Sequence, residues 1–542
     1  MLGLAAFLTG LFMASAAEQP QVRPPAAAPQ LVVVISVDQL SADLFDEYRP
    51  QFSGGLARLA SGAAFRNGYQ AHAATETCPG HSTILTGSHP AHSGIIANTW
   101  VDQSVQRSDK TVYCAEDERV AGSSTTSYTV SPFHLRAQTL GDILKQRSPQ
   151  SLNVAVSGKD RAGVMMGGHH VDQRWFWDGR KFASDFKSAA VPATIAKANA
   201  ALAASLAVAR EPLPLPPSCQ AKATPYVLTP QLTVGAGRFG RAAGDVRSFR
   251  ISPEFDGAVL AIAAGLVQEL RLGRDAAPDV LSVGLSATDY VGHALGSGGA
   301  EMCLQLFSLD RDLGSFFNVL DAEGIDYSVV LTADHGGMDI PERLRAKGVV
   351  NATRADPALG TVDVGKALAV KLKLSGPVLL GDLANDVWID RSLAPRDRTR
   401  VEREAVAFYE AHPQVEAVFT SRQIGRIPLP TGSPDKWSIG QRVRASWDRQ
   451  RSGDLYVVLK RNVSPIVNPG VGYVATHGSV WDYDRRVPIL FWRKGMRSAP
   501  RQDHISTVNI LPTIAAQIGL ALPAGLDGSC LNGVEGVACP VR

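Results

Sequence analysis

Six side chains in this sequence are carboxylates or imidazoles at spacings typical of metal ligands. They lie in the segments LVVVISVD, SATDYVGHALG, LTADHGGM and YVATHGS, and they are Asp38, Asp289, His293, Asp334, His335 and His477. Asp289 and His293 are four residues apart, which places both on one face of a helical turn. Six ligands suffice for two zinc ions with three protein ligands each, and the remaining coordination positions stay open to a substrate. Open positions are typical of catalytic zinc, so the spacing predicts an enzyme.

Short apolar runs rich in Val, Ile and Leu precede several of these residues and are predicted to be buried strands. The best strand candidates are residues 31–37, 152–157, 280–285, 327–332 and 487–492, and the helix candidates are residues 54–65, 190–210, 257–271, 300–321 and 399–411. Their alternation predicts an α/β fold, a three-layer sandwich with a central, mostly parallel sheet flanked by helices. Asp38, Asp289 and Asp334 each follow a strand. Because open α/β sheets bind ligands outside the carboxyl ends of their strands, we expect these side chains to converge.

Length and composition allow a large core but indicate no macromolecular partner. A chain of 542 residues with 45% hydrophobic content accommodates two to four domains, or one large α/β domain with insertions. Inserted loops and small subdomains over the active site are expected at about residues 100–150, 211–250 and 340–480. The formal net charge of +3 is too small to indicate a nucleic-acid or membrane-surface partner. The sequence does not predict the oligomeric state.

The N-terminal segment MLGLAAFLTGLFMASAAEQP has an apolar core followed by small residues, which is the pattern of a signal peptide over residues 1–17. A Pro/Ala-rich linker over residues 18–30 then precedes a catalytic domain over residues 31–535. The first residues lack Lys and Arg, which leaves open an incorrectly assigned start or a retained segment. No other apolar run reaches the length of about 18 residues that a membrane span needs. We therefore expect a periplasmic or secreted protein.

The chain contains an even number of cysteines, which fits disulfide formation in an exported protein. They are Cys78, Cys114, Cys219, Cys303, Cys530 and Cys539. Cys530 and Cys539 are close in sequence and form the best candidate pair. Pairing the others in sequence order, Cys78 with Cys114 and Cys219 with Cys303, is one of several connectivities that stay open. The cysteines do not have the spacing of a zinc finger.

The ligand segments, together with TETCPGHSTILTG and HSGIIANTW, resemble the alkaline phosphatase superfamily. Within it, the chain is most similar to the Thr-nucleophile alkaline phosphatases related to the nucleotide pyrophosphatase/phosphodiesterases. The resemblance extends from about residue 31 to about residue 530. It implies hydrolysis of phosphate monoesters, a site with two Zn²⁺ ions and a covalent phospho-threonine intermediate.

The resemblance also implies a role for individual residues. It assigns the nucleophile to Thr77 and the phosphate contact to Asn98. One zinc would be held by Asp289, His293 and His477, and the other by Asp38, Asp334, His335 and the Thr77 oxygen. In the segment SGKDRAG, Lys159 and Arg161 correspond to a pair that reaches the phosphate oxygens in the monoesterases and that the diesterases lack. Such cationic donors suit a dianionic phosphate.

Simpler interpretations of these residues also exist. Thr77 could be a turn or N-cap residue of the following helix, although helix amides there would favour a bound phosphate as well. Lys159 and Arg161 could be a solvated turn. Sulfatases use a Cys in C-x-P-x-R, but here Pro79 follows Cys78 directly and the arginine is absent.

Two other functions compete with a phosphatase. One is a phosphodiesterase or nucleotide pyrophosphatase on the same scaffold, which Lys159 and Arg161 disfavour. The other is a non-catalytic metal-binding protein, whose closed sites would normally use four protein ligands each and often Cys. The acidic segment CAEDER could hold Ca²⁺, or it could be solvated surface.

Overall fold

The computed structural model describes residues 28–186 and 190–540, so the predicted signal peptide and most of the linker lie outside the described residues. The strands in these ranges are β1 Leu31–Val37, β2 Ala63–Tyr69, β3 Thr99–Val101, β4 Thr111–Tyr113, β5 Asn153–Ser157, β6 Gln173–Trp177, β7 Phe182–Ala183, β8 Tyr226–Thr229, β9 Leu232–Val234, β10 Asp279–Leu285, β11 Tyr327–Thr332, β12 Thr353–Arg354, β13 Leu379–Gly381, β14 Asn385–Ile389, β15 Val415–Thr420, β16 Leu455–Leu459, β17 Val463–Ser464, β18 Arg486–Arg493 and β19 Ala499–Ser506. The α-helices in these ranges are α1 Ala42–Tyr48, α2 Gly55–Ala60, α3 Thr77–Thr86, α4 Pro90–Ser93, α5 Leu140–Arg147, α6 Asp160–Gly167, α7 Ala193–Leu206, α8 Pro217–Gln220, α9 Val246–Arg250, α10 Pro253–Glu269, α11 Ala287–Leu295, α12 Ala300–Ala322, α13 Pro341–Ala346, α14 Thr361–Leu372, α15 Pro395–Glu410, α16 Ser421–Ile424, α17 Ile439–Ser446, α18 Asp482–Arg485 and α19 Ile510–Gln517.

A mixed sheet forms the centre of the molecule, with the strand order β19-β2-β18-β11-β1-β10-β5-β6-β7 in the described part of the chain. The five consecutive strands β11, β1, β10, β5 and β6 run parallel. Antiparallel pairs lie toward the edges, where β18 pairs with β11 and β2, and β7 pairs with β6. Every residue of β1 and β10 is buried, as expected for central parallel strands covered on both faces.

The helices around this sheet form two separate groups. In one group α12 packs against α2, α10 and α11, and α10 contacts β10. In the other group α3 packs against α5, α6 and α19, and α6 contacts β5. The predicted α/β class and its three layers are therefore confirmed.

The strands predicted from sequence are confirmed as β1, β5, β10, β11 and β18, and four of the five predicted helices are confirmed as α7, α10, α12 and α15. The helix predicted over residues 54–65 is only partly correct, because α2 ends at Ala60 and β2 begins at Ala63. Ala63 and Ala64 pair with Phe491 and Leu490 of β18. Tertiary pairing thus overrides the helical pattern at the end of this segment.

A smaller antiparallel sheet with the order β13-β14-β16-β15 lies within residues 340–480. Helices α14 and α15 cover it, and it has an apolar core of its own that includes Val387, Tyr409, Leu455 and Val457. The insertion boundaries proposed from sequence stay predictions.

The cysteines form three disulfides, Cys78–Cys114, Cys219–Cys303 and Cys530–Cys539, which confirms the pairing by sequence order. Within residues 28–186 and 190–540, no helix combines the length and apolar character that crossing a membrane requires.

Candidate active site

The strand order brings the predicted ligands together. Strands β11, β1 and β10 are neighbours in the sheet, and Asp38 and Asp334 follow the ends of β1 and β11. Asp289 lies in the first turn of α11, which follows β10. All three carboxylates are almost fully buried, with at most 1% of their surface exposed. Side chains that are distant in sequence therefore meet at the carboxyl edge of the parallel sheet.

Asp289, His293 and His477 form one group of possible metal ligands, with ligand atoms within 4.8 Å of one another. The distances from Asp289 Oδ1 to Nε2 of His293 and of His477 are 3.2 and 3.5 Å. The Nδ1 atoms of the two rings lie 2.8 Å from the carbonyl oxygens of Ala475 and Thr75. Nδ1–H donation to these carbonyls leaves the Nε2 lone pairs free for a metal.

Asp38, Asp334 and His335 form the second group. His335 Nε2 lies 3.4 Å from both Asp38 Oδ1 and Asp334 Oδ2, while its Nδ1 lies 2.8 Å from the Gly336 carbonyl oxygen. Asp38 Oδ1 and His335 Nε2 are buried and have no hydrogen-bond partner among the described residues. Burial without a partner is unfavourable for such atoms, and a bound cation would satisfy both. This chemistry fits a metal ion.

The charges in the site shift the pKa values of its carboxyl groups. Burial raises the pKa of Asp38, and the carboxylates of Asp289 and Asp334 raise it further. Burial also opposes ionisation of Asp334, but His335 and His81 hold the pKa of Asp334 below its ordinary value. Negative charge concentrated in a buried space is what a divalent cation would neutralise.

Thr77 is the first residue of α3, a helix whose residues are all buried. Its Oγ1 lies 3.5 Å from Lys159 Nζ and 3.3 Å from Arg161 Nη2. Helix α3 approaches the ligand loop closely, because a Cβ on Gly80 would lie 2.0 Å from the Asp334 carbonyl oxygen. A glycine at this position is therefore needed to bring Thr77 up to the ligands.

Lys159 and Arg161 flank the start of α6, which follows β5 at the same edge of the sheet. Lys159 Nζ donates to Asp38 Oδ2 at 2.6 Å and to Asp289 Oδ2 at 2.5 Å. Burial alone would lower the pKa of Lys159, but these two carboxylates raise it above its ordinary value. Asp160, which lies between the two cationic residues in sequence, accepts hydrogen bonds from the hydroxyls of two tyrosines, Tyr113 and Tyr128.

Asn98 also lies at the site, since its Oδ1 accepts a hydrogen bond from the Cys78 amide next to Thr77. The structure thus brings all ten predicted site residues into one region. Calcium has less support than zinc, because two of the three carboxylates of CAEDER already form ion pairs with arginines. Glu116 pairs with Arg107 and Asp117 pairs with Arg119.

Several supporting residues were missed by the sequence analysis. The backbone amide of Gln39 donates to Asp334 Oδ1 at 3.1 Å, and its side-chain Nε2 donates to Asp289 Oδ1 at 3.0 Å. Gln39 therefore links both ligand groups. Its φ of 67° is in the left-handed region, which for a non-glycine residue often marks a functional site. His81 Nδ1 lies 2.9 Å from the Thr77 carbonyl oxygen and 3.0 Å from Asp334 Oδ2. The sequence signal that could have identified His81 is its position in the motif segment TETCPGHSTILTG.

A groove of about 650 Å³ leads from these residues to the surface. Its walls include the aromatic residues Trp100, Trp388 and Tyr473 and the acids Glu76 and Asp382. Burial raises the pKa of Glu76 to about 7, although its hydrogen bond from the Asn98 amide lowers it in part. Part of the wall comes from β13, β14 and the loop between them, so the smaller sheet helps to form the entrance.

Comparison with known proteins finds relatives that cover nearly the whole chain. The family model for "Type I phosphodiesterase / nucleotide pyrophosphatase" matches residues 32–480. The chain is 50% identical to the alkaline phosphatase PhoK of Sphingomonas sp., over 94% of this chain and 92% of that protein. It is 43% identical to the alkaline phosphatase PhoD of Zymomonas mobilis, over 97% of this chain and 92% of that protein.

Solved structures show the same architecture. The alkaline phosphatase PafA superposes with a TM-score of 0.81 at 26% identity, over 94% of this chain and 99% of that chain. Murine ectonucleotide pyrophosphatase/phosphodiesterase 5 superposes with a TM-score of 0.54 at 13% identity, over 92% of this chain and 97% of that chain, which shows the shared fold alone. The chain therefore belongs to the type I phosphodiesterase/nucleotide pyrophosphatase family, within the alkaline phosphatase superfamily that its motifs resemble.

Proposed function

We propose that this protein is an alkaline phosphatase that hydrolyses phosphate monoesters through a covalent phosphate on Thr77. The observation that carries the proposal is the position of the Thr77 hydroxyl, which has Lys159 Nζ and Arg161 Nη2 within 3.5 Å and lies beside two groups of three possible metal ligands. The high identity to two alkaline phosphatases over nearly the whole chain supports it.

Metal ions are part of the proposed activity, and we assign two zinc ions to the two ligand groups. One group is Asp289, His293 and His477, and the other is Asp38, Asp334 and His335. We assign the Thr77 oxygen to the second ion as a further ligand. When bound, two such ions lower the pKa of a nucleophile and stabilise the charge on a leaving oxygen. Calcium stays a prediction without a supporting ligand group among the described residues.

Side chains of the protein bind and orient the phosphate. The free phosphate oxygens accept hydrogen bonds from Lys159, Arg161 and the side-chain amide of Asn98. The Thr77 hydroxyl loses its proton as Oγ1 forms a bond to phosphorus and the bond to the leaving oxygen breaks. The leaving oxygen takes up a proton in turn, so the leaving group departs as an alcohol. In a second displacement a water molecule attacks phosphorus, which releases inorganic phosphate and restores the Thr77 hydroxyl.

The main rival is a phosphodiesterase or nucleotide pyrophosphatase, which the name of the family model favours. A diester has a single negative charge and one fewer free oxygen than a monoester. The two cationic side chains facing Thr77 match the dianion better. They favour the monoester, and so do the names of the two relatives.

We further propose that residues 1–17 are a signal peptide, that residues 31–535 form the catalytic domain and that the protein acts in the periplasm or outside the cell. The three disulfides are compatible with an oxidising compartment. The proposed partners are small phosphate monoesters.

The decisive experiment compares p-nitrophenyl phosphate with its bis ester as substrates. Each is assayed with the purified protein, with protein freed of metal by chelation, and after zinc is returned. We expect the monoester to be hydrolysed faster than the bis ester. Activity should be lost on chelation and should recover when zinc is returned. Full activity in protein that elemental analysis shows to be metal-free, or preference for the bis ester, would overturn the proposal.

A further inference from the structure

Asn98 is held in place by three hydrogen bonds from different directions. Its amide nitrogen donates to Glu76 Oε2 at 2.7 Å, and its carbonyl oxygen accepts from the Cys114 amide at 2.9 Å. Its side-chain Oδ1 accepts from the Cys78 amide at 2.8 Å. The disulfide Cys78–Cys114 joins two of these three partners.

This arrangement leaves one polar atom of Asn98 uncommitted. Oδ1 is engaged by Cys78, and no described residue accepts a hydrogen bond from Nδ2. Asn98 lines the groove, and the amide that orients its side chain belongs to the residue directly after Thr77. Nδ2 is therefore available as a donor beside the nucleophile.

The Glu76 carboxylate has no role in capping the helix that it precedes. Glu76 occupies the N-cap position of α3, where a side chain normally accepts from a first-turn amide, but its side chain accepts none. It reaches instead across 22 residues of sequence to the Asn98 amide. Among the described residues, the Asn98 backbone amide is the one group that donates a hydrogen bond to this side chain.

We infer that Glu76 is a positioning residue, which holds the main chain of Asn98 so that Nδ2 donates to a phosphate oxygen at Thr77. The inference rests on the proposed function, because it deepens the account of the same site. If Glu76 acts through Asn98, then its loss costs no more activity than the loss of Asn98 itself. A displacement of about 1 Å can cost about a hundredfold in rate, so we expect Glu76→Ala to lower kcat/KM by about tenfold to a hundredfold.

A double-mutant cycle tests this coupling in the full, zinc-loaded chain. The wild type, Glu76→Ala, Asn98→Ala and the double variant are assayed with p-nitrophenyl phosphate, and their affinity for inorganic phosphate is measured by titration calorimetry. In the wild-type background, Glu76→Ala should lower both kcat/KM and the affinity for inorganic phosphate. In the Asn98→Ala background, it should change each of these by less than about twofold. Glu76→Gln keeps an acceptor oxygen and should stay within about fivefold of the wild type.

Asp386 offers a matched control. It is also a buried acid in the groove, and its Oδ1 accepts a single main-chain hydrogen bond, from the Gly453 amide at 2.6 Å, without contacting Asn98. Asp386→Ala should change kcat/KM by the same factor with and without Asn98→Ala. Zinc content and the thermal midpoint are measured for every variant, so that a general loss of structure is recognised.

The outcomes separate this inference from the proposed function. Equal effects of Glu76→Ala in both backgrounds, loss of zinc from Glu76→Ala, or a Glu76→Gln variant as impaired as Glu76→Ala would each overturn the positioning role. If the phosphate affinities of the four proteins show the expected coupling but the wild type releases no phosphate from the monoester, the positioning role stands and the proposed function fails.

Discussion

Replacing Arg161 with alanine tests phosphate recognition with the least disturbance of the metal ligands. Arg161 Nη2 lies 3.3 Å from Thr77 Oγ1, and Arg161 Nε is buried with no hydrogen-bond partner among the described residues. Lys159 in contrast also donates to Asp38 and Asp289. Arg161→Ala therefore removes donors that face the nucleophile and leaves the contacts of the ligand carboxylates intact.

The size of the effect follows from the charges involved. A hydrogen bond between charged groups contributes about 1.5 to 3 kcal/mol, which corresponds to about 12-fold to 150-fold in kcat/KM for a monoester dianion. A diester has half the charge, so about half of that free energy is lost, or about threefold to 12-fold. The preference for the monoester over the diester should therefore fall by about fourfold to 12-fold.

The assay measures kcat/KM for p-nitrophenyl phosphate and for its bis ester with saturating zinc. Zinc content should stay at the wild-type value in Arg161→Ala. Arg180→Ala removes one positive charge from an exposed turn and serves as the control, with no change expected for either substrate. If Arg161→Ala lowers kcat/KM for both substrates by the same factor, Arg161 has a structural role and the diesterase interpretation gains support.

Three further predictions concern the metal, the nucleophile and a buried acid. Exhaustive chelation should abolish phosphate release and lower the thermal midpoint, and zinc should restore both; an unchanged midpoint would argue against buried metal sites. Thr77→Ala should abolish turnover while keeping zinc, Thr77→Ser should keep substantial activity, and mass spectrometry of acid-quenched enzyme should find phosphate on Thr77 and not on Thr75. Burial is the main cause that raises the pKa of Asp386 to about 7 from 3.8, so the stability contributed by its protonated form is lost as pH rises between these values. Asp386→Asn should therefore raise the thermal midpoint more at about pH 8 than at about pH 4.5, and an equal change at both would refute this pKa.

The central sheet could be predicted from local sequence because its strands are buried on both faces. Such strands appear as continuous runs of Val, Ile and Leu, as in β1 and β10. The helix predicted over residues 54–65 was wrong after Ala60 because tertiary pairing determined the structure there. Glycine is unfavourable in the interior of both helices and strands, and alanine is uncommon in strands, so residues 61–65 do not indicate a strand locally. Pairing of β2 with β18 determined the outcome.

The candidate ligands were accessible from sequence because polar residues that directly follow buried strands share one edge of the sheet. Asp38 and Asp334 illustrate this, and the motif resemblance supplied Thr77 and Asn98. Cysteine pairing was open to several connectivities, and only the folded chain selects among them.

The residues that support the ligands could be identified only in the tertiary structure. Gln39 contacts an aspartate 295 residues away, and the Glu76 carboxylate reaches Asn98 instead of capping its own helix. Hydrophobic periodicity reports which face of an element is buried, but it contains no information about which polar atoms meet across the interior. Those hydrogen bonds form only after strands and helices have packed, because their partners are brought within about 3 Å by the fold and not by the local chain.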